Sequence, residues 1–162
     1  PLDSSAASDV YKRQTIYILM NLGLFSCLLM LKRDNNYYEK IDDLSGLSKN
    51  HPMLALSLLI ILFSLAGIPP LAGFFAKFYV FKAVIEQSMY FLAIVGLLST
   101  VVAAFYYLRL IKIMYFDEQK EKYDTDHGFW LKFSLTASTL LILIYFIFPS
   151  QLIEVVSRIN II

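Results

Sequence analysis

Apolar residues come in long unbroken runs along this chain, and the polar residues collect in the short segments between them. Residues 15–31 (TIYILMNLGLFSCLLML) give seventeen positions without a charge, at the lower limit of the about 17–25 residues that a membrane-spanning helix needs. Residues 89–116 (MYFLAIVGLLSTVVAAFYYLRLIKIMYF) carry no charge in their first twenty positions, and residues 131–149 (LKFSLTASTLLILIYFIFP) form a last run. Soluble helices show an apolar stripe with a polar back. These runs are apolar all round, so the pattern predicts membrane helices over 15–31, 89–116 and 131–149. Between them, 32–51 and 117–130 are polar and charged, and Asp42, Asp43, Asp117 and Glu118 read as solvated loop charges.

The stretch 52–86 (PMLALSLLIILFSLAGIPPLAGFFAKFYVFKAVIE) is different in kind. It has 35 residues, and a straight helix of that length would run about 52 Å against a hydrocarbon core about 30 Å thick. Its regularity fails at Gly67-Ile68-Pro69-Pro70 and again at Gly73. Pro69 and Pro70 lack backbone N–H groups and obstruct the preceding turn, and Pro70 pushes Pro69 away from helical geometry. Gly67 and Gly73 permit dihedrals that other residues resist. The expected form is one crossing made of two half-helices with a non-helical excursion between them. A simple proline kink is the plainer alternative. Irregular backbone at membrane depth is tolerated only when it is buried in protein or lines a wet cavity, and discontinuous helices recur at ion sites in transporters.

Lys77 follows this break by a few residues and lies about ten residues, hence about 15 Å, from the end of the stretch at Glu86. That depth is near the midplane, where a lysine is rare and functional by default. Desolvation penalises a charged amine, so a lysine held there can take up and release a proton without large free-energy steps. The competing reading is a lysine that snorkels to an interface, which suits Lys82 better. Weaker candidates surround these. Gly96, Thr100 and Ala104 recur every four residues as a small-residue packing stripe. Tyr106, Tyr107 and Arg109 read as interfacial anchors, and Ser64 is placed to hydrogen-bond backbone near the break. Asn21 is expected to bond across helices, and Cys27 to pack.

Composition agrees with the pattern. Of 162 residues, 58% are hydrophobic and 17% charged, with a mean hydropathy of +0.62; soluble domains run at about 45–50% apolar and about 25% charged. A soluble single-domain enzyme is excluded on that ground. The net charge of +1 offers no basic surface for nucleic acid. The single cysteine cannot form an internal disulfide, and His51 and His127 have no second metal ligand at helical spacing. No phosphate loop, catalytic triad or dinucleotide fingerprint is present. The distribution of Lys and Arg sets orientation. Segments 32–51 and 109–132 hold Lys32, Arg33, Lys40, Lys49, Arg109, Lys112, Lys120, Lys122 and Lys132, whereas the opposite side holds Lys82 and Arg158. The two charged loops are therefore expected on the cytoplasmic or matrix side.

The ends stand apart from the spans. Residues 1–14 (PLDSSAASDVYKRQ) are polar, and SSAASDVYKRQ resembles translated adapter sequence at the ends of assembled environmental reads. An assembly scar and a short disordered tail are the two readings, and on either the segment is left out of fold reasoning. On the first, the protein extends upstream and this is a C-terminal piece. The tail 150–162 puts Leu152, Val155, Val156 and Ile159 on one helical face, with Glu154 and Arg158 four apart, and reads as an interfacial amphipathic turn.

The residues SLAGIPPLAGFFAKFYVFKA resemble the broken helix of the antiporter-like membrane subunits of respiratory complex I, and LLSTVVAAFYYLRLIKIMYF is similar to the helix that follows it in the subunit N family of NADH:quinone oxidoreductase. NLGLF and GLSKNHPMLAL fit the same family, so the resemblance covers about residues 15–150. GIPPLAGF alone is shared with subunits of cation/proton antiporters. Ala76 stands before the lysine where the family often has Gly.

This resemblance implies an all-α integral membrane fold: four transmembrane helices, the second broken, forming the C-terminal part of a bundle of two inverted five-helix repeats. It implies that Lys77 is the buried lysine of a polar axis that carries protons across the membrane, coupled to NADH oxidation and quinone reduction. The family's other axis residues, a Glu and further lysines on earlier helices, are not among these residues. NAD, FMN, iron–sulfur clusters and quinone would belong to other subunits, with no cofactor in this chain. The partners would be the other membrane subunits and the bilayer, in a bacterial inner membrane or its organellar equivalent. The rival classes are a subunit of a multisubunit cation/proton antiporter and a structural membrane subunit without a proton role.

Overall fold

The computed structural model describes residues 2–33, 36–37, 40–69, 71–118 and 128–147. Six α-helices dominate: α1 (Leu2–Met30), α2 (Leu47–Asn50), α3 (Pro52–Ala66), α4 (Ala72–Glu86), α5 (Tyr90–Phe116) and α6 (Phe129–Ile147). Pro70, His127, the loop lysines Lys120 and Lys122, and the tail 150–162 with its Glu154–Arg158 spacing lie outside the described residues.

α3 is the centre of the bundle and packs against α1, α4, α5 and α6. It is apolar on every side, yet one stripe of it is buried: Leu54, Ala55, Leu58, Ile61, Leu62 and Leu65. These positions recur at the helical period, while Met53 and Leu56 on the other side stay exposed. Met20, Cys27 and Met30 of α1, Ile111, Ile113 and Met114 of α5, and Leu135 and Ile142 of α6 complete the core.

Small residues let the helices close up, since lipid supplies little hydrophobic drive and association rests on close packing. Gly23 of α1 sits where a Cβ would come within 2.8 Å of Ile61 Cδ1 and 3.0 Å of Ser138 Cβ, the junction of α1, α3 and α6. One turn on, Ser26 Oγ donates to Ser134 Oγ at 2.8 Å and ties α1 to α6.

Three expectations are corrected here. Residues 2–14, set apart from the fold on composition, are helical and continuous with the rest of α1. Their polar composition hides nothing that breaks a helix, and Ala, Lys, Arg and Gln favour one. Asn21, expected to bond across helices, bonds within its own among the described residues: its Nδ2 donates to the Tyr17 carbonyl at 2.8 Å. The segment 32–51 is more than a solvated connector. A two-residue ribbon pairs Lys32–Arg33 with Asn36–Tyr37, a 3-10 turn spans Ile41–Leu44, and Leu44 and Leu47 are buried. Gly46, at φ 67°, donates its N–H to the Ile113 carbonyl of α5 at 3.2 Å. Within the segment Asp43, read as a solvated loop charge, accepts the Lys40 backbone N–H at 3.0 Å in an exposed setting.

α4 and α5 are joined by a tight turn in which Ser88 takes φ 57°, with Met89 N–H bonded to the Val84 carbonyl at 3.1 Å and Ser88 N–H to that of Ile85 at 2.9 Å. By length and composition α5 is long and apolar enough to cross a membrane; the other apolar stretches, Gln14–Met30, Pro52–Ala66 and Phe129–Tyr145, are shorter. Most of α5 is uncovered, from Phe91 to Tyr106, and its last turns alone enter the core.

The junction at Gly23 yields a test. Gly23→Leu should force α1 from α3 and α6 and lower stability by about 1–3 kcal/mol, the usual cost of overpacking, whereas Leu98→Ala on the exposed side of α5 should leave it unchanged. Thermal unfolding of the detergent-solubilised protein measures both.

Candidate functional site

The long apolar stretch is interrupted between Ala66 and Ala72, and each side of the interruption follows from local chemistry. α3 ends because Gly67 adopts the left-handed conformation, φ 82° and ψ 35°, which costs a residue with a Cβ about 1–2 kcal/mol. Gly67 N–H then bonds the Ser64 carbonyl at 3.0 Å and Ile68 N–H bonds that of Phe63 at 3.1 Å. This is a Schellman ending. A turn follows in which Leu71 N–H donates to the Ile68 carbonyl at 3.1 Å; Pro69 stands exposed at its second position, where its fixed φ suits a turn.

A helix end leaves carbonyls without intrahelical partners. The Schellman bonds take those of Phe63 and Ser64, and Leu65 and Ala66 remain. Lys77 reaches back from α4 to both: its Nζ donates to the Leu65 carbonyl at 2.9 Å and to the Ala66 carbonyl at 3.1 Å. The lysine thus sits at the negative end of the α3 dipole, where a cation is favoured. Among the described residues no carboxylate pairs with it, so carbonyl dipoles are its partners. Its side chain passes over Gly67, where a Cβ would lie 3.0 Å from Lys77 Cδ and 3.3 Å from Nζ. Gly67 is needed for its dihedral and for the path of this lysine.

The start of α4 is satisfied from the opposite direction. Leu71 gives no side-chain cap. Instead Gly73 N–H donates to Ser64 Oγ of α3 at 3.1 Å, and the Ser64 hydroxyl donates to Met20 Sδ of α1 at 3.1 Å. Ser64 is fully buried. α4 can approach so closely because residue 73 is glycine: a Cβ there would overlap the Ser64 carbonyl. Each half-helix therefore caps the other, α3 through Ser64 and α4 through Lys77.

Further contacts fix α4. Phe75 meets Tyr145 of α6 edge-to-face, with ring centroids 6.2 Å apart, and Phe74 stacks on Phe78. The Phe81 ring lies against Gly96 of α5, 2.9 Å from where a Cβ would be, so the small-residue stripe serves packing at that position. Beside the break is a cleft of about 490 Å³ between α1, α4 and α5, lined by Lys77 with Tyr17, Ser64, Ser99 and Thr100 among apolar neighbours. The Ser99 and Thr100 hydroxyls donate to their own helix, at 2.7 Å to the Gly96 and Leu97 carbonyls, and keep acceptor capacity. An ammonium has three donors, two of them on α3, beside a space large enough for water.

Of the residues singled out from sequence, Gly67, Gly73 and Lys77 are brought together, with Pro69 in the turn and Pro70 outside the described residues. Lys82 points elsewhere: it is 58% exposed and lies 3.8 Å from Glu86 one turn on. Ser64 proves to be a full member of the site. Met20 and the carbonyls of Leu65 and Ala66 were not foreseen, because a backbone acceptor has no signature in side-chain identity and Met20 is remote in sequence.

Fold and site together define a helical bundle built around a discontinuous apolar helix whose halves are joined through a lysine. Comparison makes this specific: the chain belongs to the NADH:quinone oxidoreductase/Mrp antiporter transmembrane family, whose model matches residues 4–103, beginning within the segment that composition sets apart. Within that family it is similar to NADH-quinone oxidoreductase subunit N. The subunit N of Pelagibacter ubique (strain HTCC1062) is 80% identical over 156 residues, which is 96% of this chain and 33% of that protein. That of Parvibaculum lavamentivorans is 50% identical over 138 residues, 85% of this chain and 29% of the relative. The chain spans about a third of the length of the curated relatives it matches. Among solved structures, a chain of respiratory complex I from Thermus thermophilus, determined with bound aureothin, superposes with a TM-score of 0.78 at 25% identity, over 91% of this chain and 34% of that one. It is accordingly a membrane protein.

The two glycines should differ in severity. Gly73→Ala drives a methyl into backbone of α3, which cannot yield, and should abolish accumulation of the folded protein. Gly67→Ala costs about 1–2 kcal/mol and presses on a flexible side chain, so it should only reduce the yield. Quantifying each variant in isolated membranes separates the two outcomes.

Proposed function

We propose that this chain works within a proton-translocating membrane subunit of NADH:quinone oxidoreductase, with Lys77 as a proton relay in a broken helix. The observation that carries the reading is the placement of the Lys77 amine: at the interruption of an apolar stretch, held by two helix-terminal carbonyls and bordered by a cleft. An amine with no carboxylate partner among the described residues, in a low-dielectric setting, is poised to exchange a proton when a nearby charge changes. Quinone reduction elsewhere in the complex drives that change, and water beside the 67–73 break connects Lys77 to one face of the membrane.

The same reading places the chain in the bacterial inner membrane with four crossings: α1, the broken pair α3–α4, α5 and α6. The lysine-rich segments 32–51 and 117–130 face the cytoplasm. The other membrane subunits of the complex and the bilayer are its partners, while NAD, FMN, iron–sulfur and quinone chemistry belongs to other subunits. The remaining axis residues, a Glu and further lysines, are expected in the part of the relatives that this chain does not cover. The antiporter alternative shares the GIPPLAGF element, but the subunit N relatives match across far more of the chain than that element, which favours the complex I reading.

In the complete complex, Lys77→Met should lower both proton pumping and the coupled NADH:quinone reductase rate severalfold. Lys82→Met, which removes an exposed lysine five residues on, should leave both at wild-type level. Pumping is read in inverted membrane vesicles with a pH-sensitive dye. Wild-type values for Lys77→Met would defeat the relay assignment.

A further inference from the structure

We infer that Ser64 is the positioning residue for Lys77, and that its hydroxyl sets the registry at which the Lys77 amine meets the end of α3. The inference rests on the relay reading above. Four observations carry it. Ser64 Oγ accepts the Gly73 N–H at 3.1 Å, which fixes the first turn of α4 by a backbone group. Lys77 lies one turn beyond Gly73 on the same face, since residues four apart are stacked along a helix. Side chains lean toward the helix N-terminus, so an amine at position 77 projects back over position 73. The carbonyls it reaches, Leu65 and Ala66 at 2.9 and 3.1 Å, belong to the two residues that follow Ser64.

The four groups close a ring: Ser64 holds Gly73, Gly73 sets Lys77, and Lys77 grips the residues next to Ser64. The hydroxyl is the one uncharged side-chain group in this ring, so it can be removed alone. Without it the Gly73 N–H has no acceptor in a buried site, and α4 can rotate or slide until Lys77 loses one of its carbonyls. One hydrogen bond of this kind changes the occupancy of a geometry about twofold to tenfold.

The test uses the complete complex in its native membrane, and its readout is the ratio of proton-pumping rate to assembled complex, the latter quantified on native gels. A packing defect lowers the amount of complex without moving this ratio. Ser64→Ala should lower the ratio at least halfway from wild type toward the Lys77→Met value, and Leu58→Val, a small cavity in the buried stripe of α3 away from the ring, should not move it. If Ser64→Ala fails to assemble, Ser64→Cys carries the test, because a thiol of nearly the same size is a weaker acceptor and should give a smaller drop. A wild-type ratio in the Ser64 variants, with a lowered one in Lys77→Met, overturns the positioning role alone. A drop in Leu58→Val equal to that of Ser64→Ala also overturns it, in favour of packing. A wild-type ratio in Lys77→Met defeats the relay reading itself.

Discussion

The mutual capping of two half-helices is the interaction on which the rest of this structure depends. A helix interrupted at membrane depth exposes carbonyls at one end and N–H groups at the other, and hydrocarbon offers neither a partner. Here the two ends meet. Gly67 and Ile68 satisfy two carbonyls by turning the chain, Lys77 takes the next two, and Ser64 accepts an N–H from the start of α4. An arrangement that leaves out any one of them strands a buried backbone group, at about 1–3 kcal/mol each.

On the proposed relay reading, that solution gives one charge two tasks. The ammonium that closes the α3 end is also the group with the chemistry to carry a proton. A neutral amine has one donor fewer and no attraction to the helix dipole. Proton loss therefore weakens the cap as well as changing the field. The joint between α3 and α4 and the charge on Lys77 are linked by geometry, without a dedicated linker residue.

Around this joint the structure is unevenly supported. α3 is enclosed by α1, α5 and α6 and supplies the stationary side of the site, with Ser64, Leu65 and Ala66 all buried. α4 is the outer partner, largely exposed beyond Lys77 and held by aromatic contacts at Phe75 and Phe81. α5 leaves a broad apolar surface uncovered, in a chain that spans about a third of the length of its curated relatives.

By itself the sequence determined the membrane class, because runs of uncharged residues have no other solvent. It also determined where the long stretch gives way, because glycine and proline act on their own backbone and need no context. Lys77 was legible for the same reason: a charge inside an apolar run stands out by contrast. What the tertiary structure decided is everything that joins positions distant along the chain or depends on backbone atoms. The buried stripe of α3 could not be read from a helix apolar on all sides. Asn21 looked the same whether it bonded its own helix or another. The carbonyls that receive Lys77 and the closeness of Gly73 to Ser64 exist only once the first turns of α4 pack against the end of α3, since a carbonyl's availability is set by where its helix ends and by what lies within hydrogen-bond reach of it.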